Sequence, residues 1–119
     1  NFTKWVRGTE SLTLYSPRPT PSPLKLIGLG AQHQGTREPN CRNIRANAIV
    51  VRSFDELDAM KDQVQGKIVV YNAPWINYGS TVAYRVAGAS RASKYGAVAA
   101  LVRSVTPDSI ESVHTGIQF

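Results

Sequence analysis

Residues 66–103 constrain the fold of this chain more than any other segment. Two short runs of apolar and β-branched side chains, residues 67–71 and 97–102, flank a stretch rich in small residues. This middle stretch has a helical periodicity and ends at Gly96, where glycine can stop a helix. A strand–helix–strand unit of this kind joins two parallel strands by a right-handed crossover. The segment therefore predicts an α/β core.

A second unit of the same kind precedes it. Ser53 and Glu56 have the spacing of a capping box that starts a helix, and Gly66 is placed to end that helix. Phe54, Leu57, Met60 and Val64 would then form one apolar stripe. The complete prediction for this half of the chain is strand 46–51, helix 54–64, strand 67–71, helix 81–95 and strand 97–102.

The first part of the chain has a different character. Residues 12–15 alternate in the manner of a strand, and residues 16–23 contain four prolines, which favour an extended connector. A further strand is expected within residues 24–29, followed by a polar surface loop over residues 30–43.

Size and composition exclude several classes of protein. The 119 residues, 42% hydrophobic and 18% charged, suit one compact domain, and no apolar run is long enough to span a membrane. Any export signal is expected to have been removed already, since the first residues lack one. The net charge of +6 is spread without a basic cluster, which favours a solvated surface over nucleic-acid binding. Cys41 is the single cysteine, which excludes an internal disulfide and a cysteine-based zinc site.

No arrangement of residues indicates catalysis. The two histidines, His33 and His114, lie in separate loop-like regions outside any paired metal-binding spacing, and a GxSxG nucleophile motif is absent. Capping or packing accounts for the serines of the second helix, and the helix dipole accounts for the acidic residues of the first. Asn1 begins an Asn-x-Thr sequence that is a candidate glycosylation site.

The chain resembles the protease-associated domain of the plasma glutamate carboxypeptidases, the carboxypeptidase Q family. The resemblance covers nearly the whole chain in order. The motifs that carry it are WVRGTES at 5–11, IGLG at 27–30, VVRSFDEL at 50–57, GKIVVYN at 66–72, INY at 76–78, TVAYR at 81–85, LVRSV at 101–105 and HTG at 114–116. Residues 104–119 depart from the family pattern, with Asp108, Glu111 and Val113 where Phe, Tyr and Pro are usual.

The resemblance implies a fold and a setting. The fold would be α/β (α+β): a β-sandwich or open barrel-like sheet flanked by two helices. Residues 1–119 would form a single protease-associated domain that lacks its final strand and helix, and the sheet edge left unpaired would favour a homodimer. The parent protein would be a secreted or lysosomal zinc metallopeptidase acting on small peptides. Its zinc and catalytic residues would lie in the peptidase domain, so no catalytic residue, metal ligand or cofactor is assigned to this chain.

Two functions of different classes follow. In the first, the chain is a non-catalytic module that covers the peptidase cleft and shapes access for peptide substrates, with the peptidase domain as its partner. Residues 74–78 and 114–116 would face the cleft, where Asn77, Tyr78 and His114 offer hydrogen-bonding groups. His114 could also change charge at acidic pH. In the second, the chain is a free-standing domain that binds a peptide or protein. Direct peptidase activity is a third, disfavoured alternative, because metal ligands are missing.

Overall fold

A computed structural model describes residues 9–17, 20–26, 44–108, 116 and 118. The chain divides into two compact units, residues 1–32 and 33–119. The predictions for Asn1, His33, Cys41 and His114 fall outside the described residues.

The described part of the first unit contains two short antiparallel strands. Strand β1 (Leu12–Leu14) pairs with β2 (Ser22–Leu24), so that Leu12 lies opposite Leu24. The predicted first strand is confirmed. The second is displaced from its predicted range of 24–29. Of the described residues in that range only Leu24 lies in β2, and Ser22 and Pro23 belong to the strand rather than to the connector. Proline has no N–H to donate, and strand positions that need no such bond accept it.

The second unit is built on a parallel three-stranded sheet. Its strands are β3 (Ala48–Val51), β4 (Ile68–Tyr71) and β5 (Ala99–Val102), in the order β3-β4-β5. Helix α1 (Phe54–Ala59) and a 3-10 turn (Lys61–Gln63) connect β3 to β4, and helix α2 (Tyr78–Ser93) connects β4 to β5. All five predicted elements of this half are present, each shorter than or shifted from its predicted range.

One face of this sheet packs against both helices. The register aligns Val51 with Tyr71 and Val102, and Ile49 with Val69 and Ala100. Right-handed crossovers between sequential strands bring both helices to the same face. The buried core on this face consists of Ile49, Val51, Leu57, Val64, Val69, Tyr71 and Ala92. The mixed α/β class predicted from the sequence is confirmed.

The start of α1 follows the predicted capping box. Ser53 Oγ accepts a hydrogen bond from the Glu56 N–H at 3.0 Å, and Glu56 Oε2 accepts one from the Arg52 N–H at 2.6 Å. The helix ends at Ala59, earlier than predicted, and the 3-10 turn follows it. This tighter turn leads to Val64, which is fully buried.

Helix α2 begins three residues before its predicted start. Asn77, with extended backbone angles, is its N-cap, so the helix starts at Tyr78. Glycines end both connections as predicted: Gly66 and Gly96 have φ angles of 71° and 79°, which side chains disfavour.

Helical spacing in the sequence predicts that Val82, Val86, Ala89 and Ser93 lie on one side of α2, but the structure buries a different face. Thr81, Gly88 and Ala92 are the buried residues of the helix. The reason is Tyr71, whose ring rises from β4 and leaves little room beneath the helix. A Cβ on Gly88 would lie 2.9 Å from Tyr71 Cε2. The expectation that small residues let this helix approach the sheet closely is confirmed at Gly88 and Ala92.

The buried hydroxyl of Tyr71 predicts a dependence of stability on alkaline pH. Tyr71 Oη donates to the Gly88 carbonyl at 2.7 Å. Burial raises the pKa of Tyr71 from 10.0 to about 12. Because the folded state favours the neutral phenol, the stabilisation is complete below pH 10 and is lost as pH rises toward 12. Denaturant unfolding at several pH values should show this loss.

The variant Tyr71→Phe provides the control for that prediction. It has no group to titrate at this position, so its stability should fall less between pH 10 and pH 12 than that of the native chain. Parallel losses in the two proteins would contradict the assignment.

Within the described residues, no helix combines the length and the apolar character required to cross a membrane.

Candidate functional site

The carboxyl edge of the parallel sheet is the candidate site of this unit. Arg52, Asn72 and Arg103 each follow the last residue of a strand, and the sheet hydrogen bonds continue to Asn72 and Arg103. In parallel α/β sheets the loops that leave the carboxyl ends of the strands commonly carry functional residues, because the sheet holds them in place. Arg103 Nη1 donates to Asn72 Oδ1 at 3.5 Å, a long contact.

The loop that leaves β4 at this edge presents apolar side chains to solvent. We call residues 72–78 the edge loop. Ala73 is buried, with 7% exposure, whereas Ile76 is 71% and Tyr78 44% exposed. Trp75 lies between them, half-buried. A loop that is anchored at one residue and exposes large apolar side chains at others is suited to contact another molecule.

Asn77 fixes the end of the edge loop to α2. Its Oδ1 accepts a hydrogen bond from the Ser80 N–H at 2.9 Å, and its carbonyl accepts one from Thr81 Oγ1 at 2.8 Å. The side chain that the sequence nominated for the cleft therefore serves as a helix cap. Asn77 is exposed, and its hydrogen bonds fix the position of the edge loop relative to the start of α2.

Tyr78 lies at the surface, where its side chain contacts that of Arg85. Arg85 Nη2 donates to Tyr78 Oη at 3.0 Å, and the Arg85 guanidinium carbon lies 5.8 Å from the Tyr78 ring centroid. The two residues are seven apart on α2, two turns, and so share one side of the helix. The contact orders the Tyr78 ring at the edge of the loop.

Gly116 also lies against Arg85. A Cβ built on Gly116 would be 2.5 Å from the Arg85 guanidinium carbon. The structure thus brings the end of the predicted 114–116 turn to the same arginine that contacts Tyr78. His114, the third nominated residue, lies outside the described residues.

Arg85 is the site residue that the sequence reasoning did not single out. It was treated as one of many scattered basic residues. The signal that could have identified it is its spacing from Tyr78, since residues seven apart on a helix are neighbours along one face.

Three polar side chains of the helices have structural roles. Ser90 Oγ donates to the Ala87 carbonyl, Ser93 Oγ donates to the Ser90 carbonyl, and Glu56 closes the cap of α1. Among the described residues, no three His, Cys, Asp or Glu side chains lie close enough together to bind a metal.

Comparison with known proteins relates the chain to part of a peptidase. It is 50% identical over 115 residues to carboxypeptidase Q of Xenopus laevis, and 47% identical over 114 residues to that of Homo sapiens. The Bos taurus protein is 46% identical over 114 residues. These alignments cover 96–97% of the chain and 23% of each relative. The chain is thus homologous to one segment of carboxypeptidase Q, and the predicted relationship is confirmed.

The chain spans about a quarter of the length of these relatives. No family model matches it, and no solved structure matches it significantly.

Proposed function

We propose that this chain is a non-catalytic module of a carboxypeptidase Q-type peptidase, and that its edge loop borders the peptidase cleft and shapes substrate access. The homology supports the setting, since the segment corresponds to only 23% of proteins named as carboxypeptidases. The edge loop supports the role, because it presents Ile76 and Tyr78 on an anchored turn. The rest of the parent protein would supply the catalytic zinc and its ligands, in a secreted or lysosomal setting.

The single observation that carries the cleft-facing assignment is the convergence at Arg85. The edge loop contributes Tyr78 and the segment after the sheet contributes Gly116, and both contact this side chain. An exposed apolar and aromatic surface on an anchored loop is suited to contact the apolar side chains of a peptide.

Variants of the edge loop in the complete peptidase test the proposal. The double variant Ile76→Ala/Tyr78→Ala removes the exposed apolar surface while retaining the Asn77 cap. We expect the ratio of kcat/KM values for dipeptides and longer peptides to change several-fold, because only contacts with the substrate's outer part are lost. The measurement is kcat/KM across a peptide panel.

Val98→Ala is the matched control, because Val98 is 45% exposed and lies just before β5, at the opposite edge of the sheet. It should leave the peptide preference unchanged. The proposal is wrong if the double variant and the control have the same preference as the native enzyme. A transcript that encodes no peptidase domain would instead favour the free-standing interaction domain.

A further inference from the structure

A pocket between the two helices lies away from the edge loop. It has a volume of about 210 Å³ and is lined by Asp58, Arg91, Lys94 and Tyr95. Helix α2 runs from the carboxyl end of β4 toward the amino end of β5, and Arg91 lies in its last turn. The pocket therefore lies toward the amino edge of the sheet.

Contacts with neighbouring side chains order three of the four residues that line this pocket, Asp58, Arg91 and Tyr95. The Arg91 guanidinium carbon lies 4.2 Å from the Phe54 ring centroid, a stacked arrangement. Tyr95 Oη donates to Asp58 Oδ1 at 2.8 Å. This hydrogen bond raises the pKa of Tyr95, and the phenol, which is protonated at neutral pH, orients the Asp58 carboxylate. Groups ordered in this way lose less freedom when they bind a ligand.

The charges around the pocket select a class of ligand. Arg91 lies in the last turn of α2. Lys94, three positions later, is the C-cap of this helix with helical backbone angles, so both side chains lie on one side of it, whereas Asp58 comes from α1. A carboxylate would be attracted by the two cations. A phosphate dianion would be repelled by Asp58, but a ligand with its own ammonium group would satisfy Asp58 Oδ2 as well.

We propose that this pocket binds a small zwitterion that carries a carboxylate and an ammonium group, such as a short peptide. The ligand carboxylate contacts Arg91 and Lys94, and the ligand ammonium contacts Asp58. The site is independent of the edge loop, and its existence does not require the proposed cleft-facing role.

The test is an NMR titration of the 15N-labelled 119-residue chain with glycylglycine. We expect saturable shifts at the amides of Asp58, Arg91, Lys94 and Tyr95, with a dissociation constant on the order of millimolar because the site is open. N-acetylglycylglycine, which lacks the ammonium, and glycylglycinamide, which lacks the carboxylate, should each bind at least about fivefold more weakly. Sodium chloride at the same ionic strength should produce no saturable shift.

Variants separate the two charged contacts. Arg91→Ala or Lys94→Ala should weaken glycylglycine binding several-fold, and Asp58→Asn should weaken it without weakening N-acetylglycylglycine. Lys25→Ala, at an exposed lysine of the first unit that does not line the pocket, is the control and should bind as the native chain does. Equal affinity for glycylglycine and its acetylated form would show a simple anion site and overturn the proposal. The absence of saturable shifts at the pocket would also overturn it.

Discussion

Leu57→Ala should lower the free energy of unfolding by about 2–5 kcal/mol, the range measured for such truncations in protein cores. Leu57 is fully buried and is the one buried residue of α1. A helix of only six residues has little stability of its own and depends on the contacts of its apolar face. The variant would lose apolar burial and leave a cavity beneath α1. Denaturant unfolding followed by circular dichroism measures the change.

Leu24→Ala is the matched control for this substitution. Leu24 is 45% exposed, so the same truncation removes much less buried surface. We expect its effect to remain within about 1 kcal/mol. If Leu57→Ala cost no more than Leu24→Ala, the core position of α1 would be wrong.

Gly88→Ala should destabilise the chain by about 1–2 kcal/mol, although alanine is the better helix former by about 1 kcal/mol. The new Cβ would lie 2.9 Å from Tyr71 Cε2. The tyrosine ring has little room to move, because its centroid is 5.6 Å from that of Phe54 and 5.8 Å from that of Tyr84. Helix and sheet must then separate, which strains the hydrogen bond from Tyr71 Oη to the Gly88 carbonyl. Chemical denaturation provides the measurement.

The same substitution at Gly79 should have the opposite sign. A Cβ there meets only Asn77 Oδ1 at 3.4 Å, an ordinary contact, so the better helix propensity of alanine should stabilise the chain by up to about 1 kcal/mol. A double variant Gly88→Ala/Tyr71→Leu should be less destabilised than the sum of its two single variants, since removing the ring removes the clash. Additive effects would contradict the proposed contact.

Local signals predicted the elements of the second unit well. The capping box at Ser53 and Glu56 forms as expected, and Gly66 and Gly96 occupy the left-handed conformation that ends each connection. These features depend on residues close in the chain, so their chemistry is visible in the sequence. The predicted start of α2 at residue 81 is wrong, because Asn77 Oδ1 already caps the Ser80 N–H and the helix begins at Tyr78.

The candidate site was predicted only in part. The sequence nominated Asn77 and Tyr78, and the structure places both at the carboxyl edge of the sheet with different roles. Asn77 positions the loop, whereas Tyr78 contacts Arg85 at the surface. Arg85 was missed because a lone arginine within a helix looks the same in a sequence whether it is solvated or holds two segments together.

The sequence by itself determined the order of strands and helices in the second unit, the glycines that end its helical connections, and the homology with carboxypeptidase Q. These depend on hydrophobic periodicity, on capping residues and on the residues that the chain shares with its relatives. Only the tertiary structure decided which face of α2 is buried and which side chains meet at Arg85. Both depend on the volume and position of groups distant in the sequence. The Tyr71 ring lies so close to α2 that a Cβ on Gly88 would meet it, and Gly116 lies against a guanidinium 31 residues earlier in the chain.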